Sequence, residues 1–179
     1  MKIVFQKILL LSTLLMALNS SLLAEIKTPN YDFSLVLIEP FFPGKSVVDL
    51  QKDKGIRSEI FEDNGSRKIW KLHLKKENYY LDFYLQTKND IISDVFVRLP
   101  QHFNHDQFLI ELQKRFKKQD KFIRKDLSAL YAWLNKENFN ILYHGSCSIS
   151  CFPVFLEIVT TDKSVTPLYQ KFNEALPKI

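Results

Sequence analysis

The chain has 179 residues, of which 46% are hydrophobic and 13% aromatic. Its formal net charge of +5 is too small to indicate a nucleic-acid-binding protein. Fifteen phenylalanines and only 4 glycines exclude a disordered or low-complexity chain, so the length predicts one ordinary domain or two small fused units.

The first element in chain order is a secretory signal peptide at residues 1–24. Lys2 and Lys7 form its basic n-region, residues 8–18 its apolar run, and Ala24 precedes the predicted cleavage site. The alternative is an uncleaved anchor, but a membrane-spanning helix needs about 20 apolar residues and this run is shorter. No cysteine follows the cleavage site, so no lipid anchor is expected. We therefore expect a mature protein that is periplasmic or secreted and does not span a membrane.

Two segments of the mature chain match at an offset of 60 positions, residues 69–84 with residues 129–144. The shared positions include a Lys-Glu-Asn turn, with Lys76, Glu77 and Asn78 recurring as Lys136, Glu137 and Asn138. Chance similarity between two amphipathic hairpins is the alternative to a duplication. The expected organisation is an N-terminal strand or extension (25–42), a first repeat unit (43–100) and a second unit with a C-terminal helix (101–179).

The first unit is predicted to be a short helix followed by an antiparallel meander. Ser46 caps the helix and Gly55 ends it. Residues 31–38 could add a strand before it. Turn residues such as Asp63-Asn64-Gly65 divide the following strands. These strands are expected at 57–61, 67–75, 79–87 and 92–99.

The second unit repeats this order with a better helix. Asn104 is the expected N-cap, and Phe108, Leu112 and Phe116 form one apolar stripe. Pro167 begins a last helix whose apolar side includes Leu176. Strands are expected at 121–125, 128–134, 139–144 and 152–160.

These elements carry a resemblance to known proteins. Residues 43–50, Pro-Gly-Lys-Ser-Val-Val-Asp-Leu, match the helix-opening pattern P-G-x-[ST]-x-x-[DE]-[VL], and a strand centred on Trp70 follows. This order resembles the outer-membrane assembly lipoproteins of the BamE (SmpA/OmlA) type, and its tandem repetition resembles the β-lactamase inhibitory protein (BLIP) architecture. The resemblance implies no catalysis and function through protein–protein contact. The predicted fold class is α+β: two tandem helix-plus-antiparallel-meander units, with the helices packed on one face of an antiparallel sheet.

Cys147 and Cys151 are the only cysteines, and an exported protein keeps disulfides. A disulfide that closes a hairpin is the preferred interpretation. A redox pair, or a metal site that includes His144, is the alternative.

Other candidate chemistry is sparse. His102, His105 and Asp106 have metal-ligand spacing, but they flank the Asn104 cap, where polar residues are expected in any case. The sequence contains no G-x-S-x-G, H-E-x-x-H or glycine-rich phosphate loop. We therefore expect no catalytic residue and no cofactor, with an unrecognised envelope hydrolase or redox protein as the remaining enzyme alternative.

Residues 114–125 carry seven bases and one acid. This cluster indicates either an anionic partner, such as an acidic lipid or glycan, or a solvated helix face and turn.

The period-2 rule predicts which side chains leave the helix-covered side of the sheet. With Leu72 inward, the repeat alignment turns Leu130, Ala132 and Leu134 inward as well. The expected partner-binding residues are the outward aromatic side chains and one histidine: Tyr80, Tyr84, Phe96, Tyr131, Trp133, His144 and Phe155. Such a surface indicates a module that binds a protein partner in the envelope or outside the cell. The alternative is that residues 31–38 or the C-terminal tail cover it.

Overall fold

The computed structural model of the protein describes residues 34–50, 52, 56–76, 79–100 and 103–174. The signal peptide, the cleavage site, Gly55, His102 and Leu176 lie outside these residues, so the expectations about them are not addressed by the structure. No helix among the described residues is long and apolar enough to cross a membrane.

Eight antiparallel strands form one sheet, and each overlaps a range where the sequence predicts a strand. The strands are β1 Ile56–Asn64, β2 Arg67–Lys75, β3 Tyr80–Lys88, β4 Ile91–Arg98, β5 Lys121–Lys125, β6 Ser128–Lys136, β7 Phe139–Cys147 and β8 Cys151–Thr160. Their order is β1-β2-β3-β4-β8-β7-β6-β5. Two four-stranded meanders thus join through their last strands, β4 and β8, and leave β1 and β5 as the sheet edges.

Turn chemistry explains the tight hairpins. Asn89 and Asp90, between β3 and β4, both have positive φ, of 50° and 63°. Two successive left-handed residues form the turn whose twist matches that of paired strands, and Asn and Asp tolerate this conformation better than most residues. Between β1 and β2, Gly65 has the left-handed φ of 70°, which glycine adopts without steric cost. Its N–H donates to the Asp63 carboxylate.

The helices are α1 Val47–Leu50, α2 His105–Phe116 and α3 Leu168–Lys171, and two 3-10 turns cover Leu35–Leu37 and Glu39–Phe41. Only α2 is longer than one turn among the described residues. The Asn104 side chain accepts hydrogen bonds from the N–H groups of Asp106 and Gln107, as expected of an N-cap. The predicted apolar stripe of α2 is buried.

The predicted fold class is wrong. The described residues form a single large antiparallel sheet with one substantial helix, not two tandem units with helices packed on one face. Helices α1 and α3 have four residues each and bury one side chain each, Val47 and Leu168, so they add little to the core beside α2. Residues 35–37, expected within a strand, form a 3-10 turn.

Both faces of the sheet are covered. Helix α2 and residues 35–42 cover one, here called the helix face, where Phe108 lies against Tyr143 and Phe41 against Phe83. Residues 168–172 cover the other, here called the tail face, where Leu168 joins a core cluster with Phe96 and Phe155.

The inward and outward assignment of β6 is also wrong. Cross-strand partners form one row on the helix face: Leu72, Phe83, Val97, Leu156, Tyr143, Tyr131 and Phe122. Tyr131 therefore shares a face with Leu72, whereas the sequence alignment paired Leu72 with Ala132. The β6–β7 pairing contains a register shift between Trp133 and Lys136. A one-residue slip turns every side chain of a strand to the other face.

Candidate functional site

Tyr131 and Trp133, predicted to be outward anchors, belong to the core of the helix face. Trp133 is fully buried, and its indole N–H donates to the carbonyl of Lys117 at 2.8 Å. The Tyr131 ring lies 4.8 Å from that of Phe122 and 5.8 Å from that of Tyr143. Neither side chain is available to a partner in this structure.

Four other predicted residues do lie together, on the tail face: Tyr84, Phe96, His144 and Phe155. The tail covers them, with the Phe172 ring 4.8 Å from Tyr84 and 5.3 Å from Phe96. Phe96 and Phe155 are fully buried, 4.9 Å apart. The alternative that the tail folds over this face is therefore correct. Tyr80 is exposed, at 64%.

A buried pair of carboxyl groups holds the tail in place. Asp94 on β4 accepts a hydrogen bond from the N–H of Leu168 at 2.7 Å, and Glu157 on β8 accepts one from Tyr169 at 3.0 Å. These donors belong to the first turn of α3, where N–H groups have no helical partner. Each carboxyl group thus satisfies a backbone donor that the tail would otherwise bury unpaired.

Both carboxyl groups are fully buried, and burial favours their protonated forms. Burial, and then the neighbouring Glu157, raise the pKa of Asp94 well above its ordinary value. Burial also raises the pKa of Glu157 to about 7, although hydrogen bonds from Asp94 and the tail oppose the rise. Two charged side chains of the tail also act on these pKa values. Lys171 lowers the pKa of Asp94, and Glu174 raises the pKa of Glu157.

Sequence reasoning did not single out this pair. The available signal was one acid inside each of two apolar strands, in Ile-Ser-Asp-Val-Phe-Val and in Val-Phe-Leu-Glu-Ile-Val. A charge at such a position needs a partner, because burial of an isolated carboxylate is very unfavourable.

His144 has a partner that the sequence did not suggest. Its Nε2 lies 2.7 Å from the Ser128 hydroxyl, and burial lowers the pKa of the imidazole. Its Nδ1 has no hydrogen-bond partner in the described part of the chain. The ring packs against Phe155, 5.1 Å away. A serine hydroxyl bonded to a neutral imidazole is one element of nucleophilic catalysis, but the orienting third group is not among the described contacts.

His105 is a core residue. Its Nδ1 lies 2.7 Å from the Tyr143 hydroxyl, and burial lowers the pKa of the imidazole. Among the described residues, no group of three or more His, Cys, Asp and Glu side chains is arranged to hold a metal ion.

The basic cluster forms one exposed edge of the protein, here called the basic edge. It comprises Lys114, Arg115, Lys117, Lys118, Lys121, Arg124 and Lys125, all exposed, at the end of α2, in the following loop and on edge strand β5. The single acid of this stretch, Asp120, binds Lys136 at 3.1 Å and accepts from the N–H of Leu134, and these contacts lower its pKa.

Only one base of this edge is paired within the described residues. Arg115 lies 3.2 Å from Glu137 and 3.8 Å from Glu39. The other six form no ion pair with a described carboxylate. A shallow pocket of about 320 Å³ between α2 and the 3-10 turn at Leu35–Leu37 is lined by Lys114 and Arg115 and also by the carboxylates of Glu39 and Glu111. The basic edge therefore presents unneutralised positive charge to solvent.

The predicted disulfide is present. Cys147 and Cys151 are bonded across the β7–β8 hairpin, so neither thiol is available to a metal or to His144. The Cys147 N–H also donates to the carbonyl of Leu127 in the β5–β6 turn, at 2.6 Å. The two neighbouring turns are thereby connected at one end of the sheet.

Comparisons with protein-family models, with curated proteins and with solved structures found no match. The resemblance to the BamE and BLIP types therefore stays a prediction.

Proposed function

We propose that the protein is an exported, non-catalytic binding module that attaches to an anionic surface of the cell envelope, an acidic lipid or glycan, through its basic edge. The observation that carries the proposal is the segregation of charge at residues 114–125. Six bases there lack a carboxylate partner among the described residues, and the one acid is bound to Lys136.

Electrostatics favours this use of the edge. Residues 117–125 form one loop and one short edge strand, so their charges act together on a partner within a Debye length of about 8 Å at physiological ionic strength. Each lysine or arginine near an anionic membrane surface contributes about 1 kcal/mol to binding. A patch of this kind binds measurably although the formal net charge of the whole chain is only +5.

A protein partner on the tail face is the second candidate. It is supported by the tail itself, which covers Phe96 and Phe155 with a helix of only four residues held by two carboxyl groups. Displacement of the tail would expose an aromatic surface of the kind that protein interfaces favour. This function requires a partner or condition that releases the tail, whereas the basic edge is already exposed.

Charge reversal tests the proposal. Lys118→Glu with Lys121→Glu should weaken binding to vesicles containing phosphatidylglycerol, and to a sulfated polysaccharide resin, by about thirtyfold or more, since two contributions of about 1 kcal/mol are lost. The matched control is Lys88→Glu with Lys163→Glu, two exposed lysines outside the edge. It changes net charge equally and should weaken binding much less. Equal losses in the two variants would contradict a local site.

A further inference from the structure

Several exposed apolar side chains lie at the end of the sheet that carries the disulfide. Ile149, at the tip of the β7–β8 hairpin, is fully exposed, and Leu127, in the β5–β6 turn, is 62% exposed. Phe152, next to Cys151, is exposed as well. We call these three residues the apolar tip. Single exposed hydrophobic residues are common, but a group of them on adjoining turns indicates an interaction site.

The backbone holds the apolar tip in a defined geometry. The disulfide joins Cys147 to Cys151, which are also cross-strand partners. The Ser148 N–H donates to the Ser150 carbonyl at 3.1 Å inside the disulfide loop, and the Cys147 N–H donates to Leu127 in the neighbouring turn. An apolar side chain on such a loop loses little conformational freedom on docking, which favours binding.

The basic edge ends at the same place. Arg124 and Lys125 are the last residues of β5 and precede the turn that carries Leu127. Lys125 pairs with Ser128, Ser128 with Ser146, and Ser146 with Phe152, so Lys125 and Phe152 belong to one cross-strand row. Asp126 is the single acid in the β5–β6 turn. Apart from this acid, Arg124 and Lys125 place positive charge beside the apolar tip.

We propose that the apolar tip inserts into the headgroup–acyl boundary of an anionic lipid bilayer while the basic edge contacts the headgroups. The inference rests on the proposed function and deepens it, because it selects lipid over glycan. A polysaccharide offers anionic groups but no hydrocarbon phase, so it would leave Leu127, Ile149 and Phe152 in water. A bilayer interface accepts both apolar side chains and neighbouring cations.

The test compares two polyanions and two charge-matched variants of the mature, disulfide-bonded protein. Partition is measured on vesicles of phosphatidylglycerol and phosphatidylcholine and on a sulfated polysaccharide resin. The tip variant is Ile149→Asp and the control is Ile60→Asp, at an exposed isoleucine on the opposite edge strand, β1. Thermal unfolding of both variants establishes that each is folded.

We expect Ile149→Asp to bind the vesicles about tenfold more weakly than Ile60→Asp, since the isoleucine side chain at position 149 gains free energy on leaving water and an aspartate does not. Because the carboxylate added at position 149 lies near the basic edge, Ile149→Asp should also bind the polysaccharide somewhat more weakly, and its loss on vesicles should be clearly larger than this loss. In a second measurement, Ile149→Trp should shift its fluorescence to shorter wavelength on the same vesicles and be quenched by brominated lipid.

Three results would overturn the inference. Equal vesicle binding by the two aspartate variants would show that Ile149 stays in water. If Ile149→Asp loses as much binding on polysaccharide as on vesicles, relative to Ile60→Asp, the tip does not insert into hydrocarbon. A dimer in solution that Ile149→Asp converts to a monomer would assign the tip to a second copy of the chain. If the wild-type protein binds neither polyanion, the proposed function itself fails, whereas tip failure with retained binding leaves it standing.

Discussion

Replacement of the buried carboxyl pair by neutral isosteres should remove a pH dependence of stability. The change is Asp94→Asn with Glu157→Gln. Each amide oxygen can still accept the N–H of Leu168 or Tyr169 that the carboxyl group accepts now. The replacement removes the titrating groups but keeps the contacts that hold the tail.

The sign and size follow from the pKa of Glu157. Burial raises it from an ordinary 4.5 to about 7 in the folded protein. The folded chain therefore binds this proton more tightly than the unfolded chain, so the contribution of Glu157 to stability is complete below its ordinary pKa of 4.5 and is lost as the pH rises to about 7. At about 1.4 kcal/mol per pKa unit, Glu157 alone accounts for a loss of roughly 3 kcal/mol across this window. The raised pKa of Asp94 acts in the same direction.

The assay is urea unfolding between pH 5 and pH 8. Relative to the double variant, the wild-type protein should lose stability on this rise and be the less stable protein at pH 8. The buried imidazoles of His105 and His144, whose pKa values are lowered, act in the opposite direction in both proteins and cancel in this comparison. Glu137→Gln, at an exposed turn residue, is the control and should keep the wild-type slope. A double variant with the wild-type slope, or one less stable than wild type at pH 8, would refute the raised pKa of this pair.

Three further experiments test the core packing, the disulfide and the helix cap. Trp133→Ala should lower the free energy of unfolding by about 3–5 kcal/mol, as truncations of buried aromatic residues do. Tyr80→Ala should change it by less than about 0.5 kcal/mol. Similar effects of the two variants in urea unfolding would contradict the register described for β6. Cys147→Ser with Cys151→Ser should leave the protein folded but lower its stability by about 2 kcal/mol, the loop-closure value for a five-residue ring, and an unchanged Tm would show that the hairpin needs no constraint. Asn104→Ala should cost about 1 kcal/mol through loss of the α2 cap, with Asn104→Asp as the conservative control; a silent alanine variant would be inconsistent with the two capping bonds.

Local patterns predicted the parts of the fold that local chemistry determines. Alternating apolar residues and turn residues such as Gly65, Asn89 and Asp90 located the eight strands. The Asn104 cap and the apolar stripe after it located α2. The spacing of Cys147 and Cys151, in a chain that the sequence predicts to be exported, indicated their disulfide.

Long-range arrangement was not predictable in the same way. The pairing of β4 with β8, which makes one sheet of the two meanders, has no signature in either strand alone. The face of Trp133 depends on a register shift that a gap-free alignment cannot represent. The sequence left open whether the tail covers the aromatic side chains of the tail face, because neither segment alone shows that they pack together.

The candidate site shows the same division. The basic edge is contiguous in sequence, so composition alone identified it. The apolar tip joins Leu127 to Ile149 and Phe152 through a hydrogen bond between two turns, and the carboxyl pair joins two strands far apart in sequence. Neither could be recognised before the strands were paired.

The most direct test of attachment through the basic edge is a salt titration of binding to vesicles containing phosphatidylglycerol. Binding of the wild-type protein should weaken steeply between about 50 mM and 500 mM salt, because screening shortens the reach of exposed charges. The Lys118→Glu, Lys121→Glu variant should bind weakly at low salt and respond much less to added salt. Wild-type binding that is independent of salt, or absent at the lowest salt concentration, would contradict attachment through the basic edge.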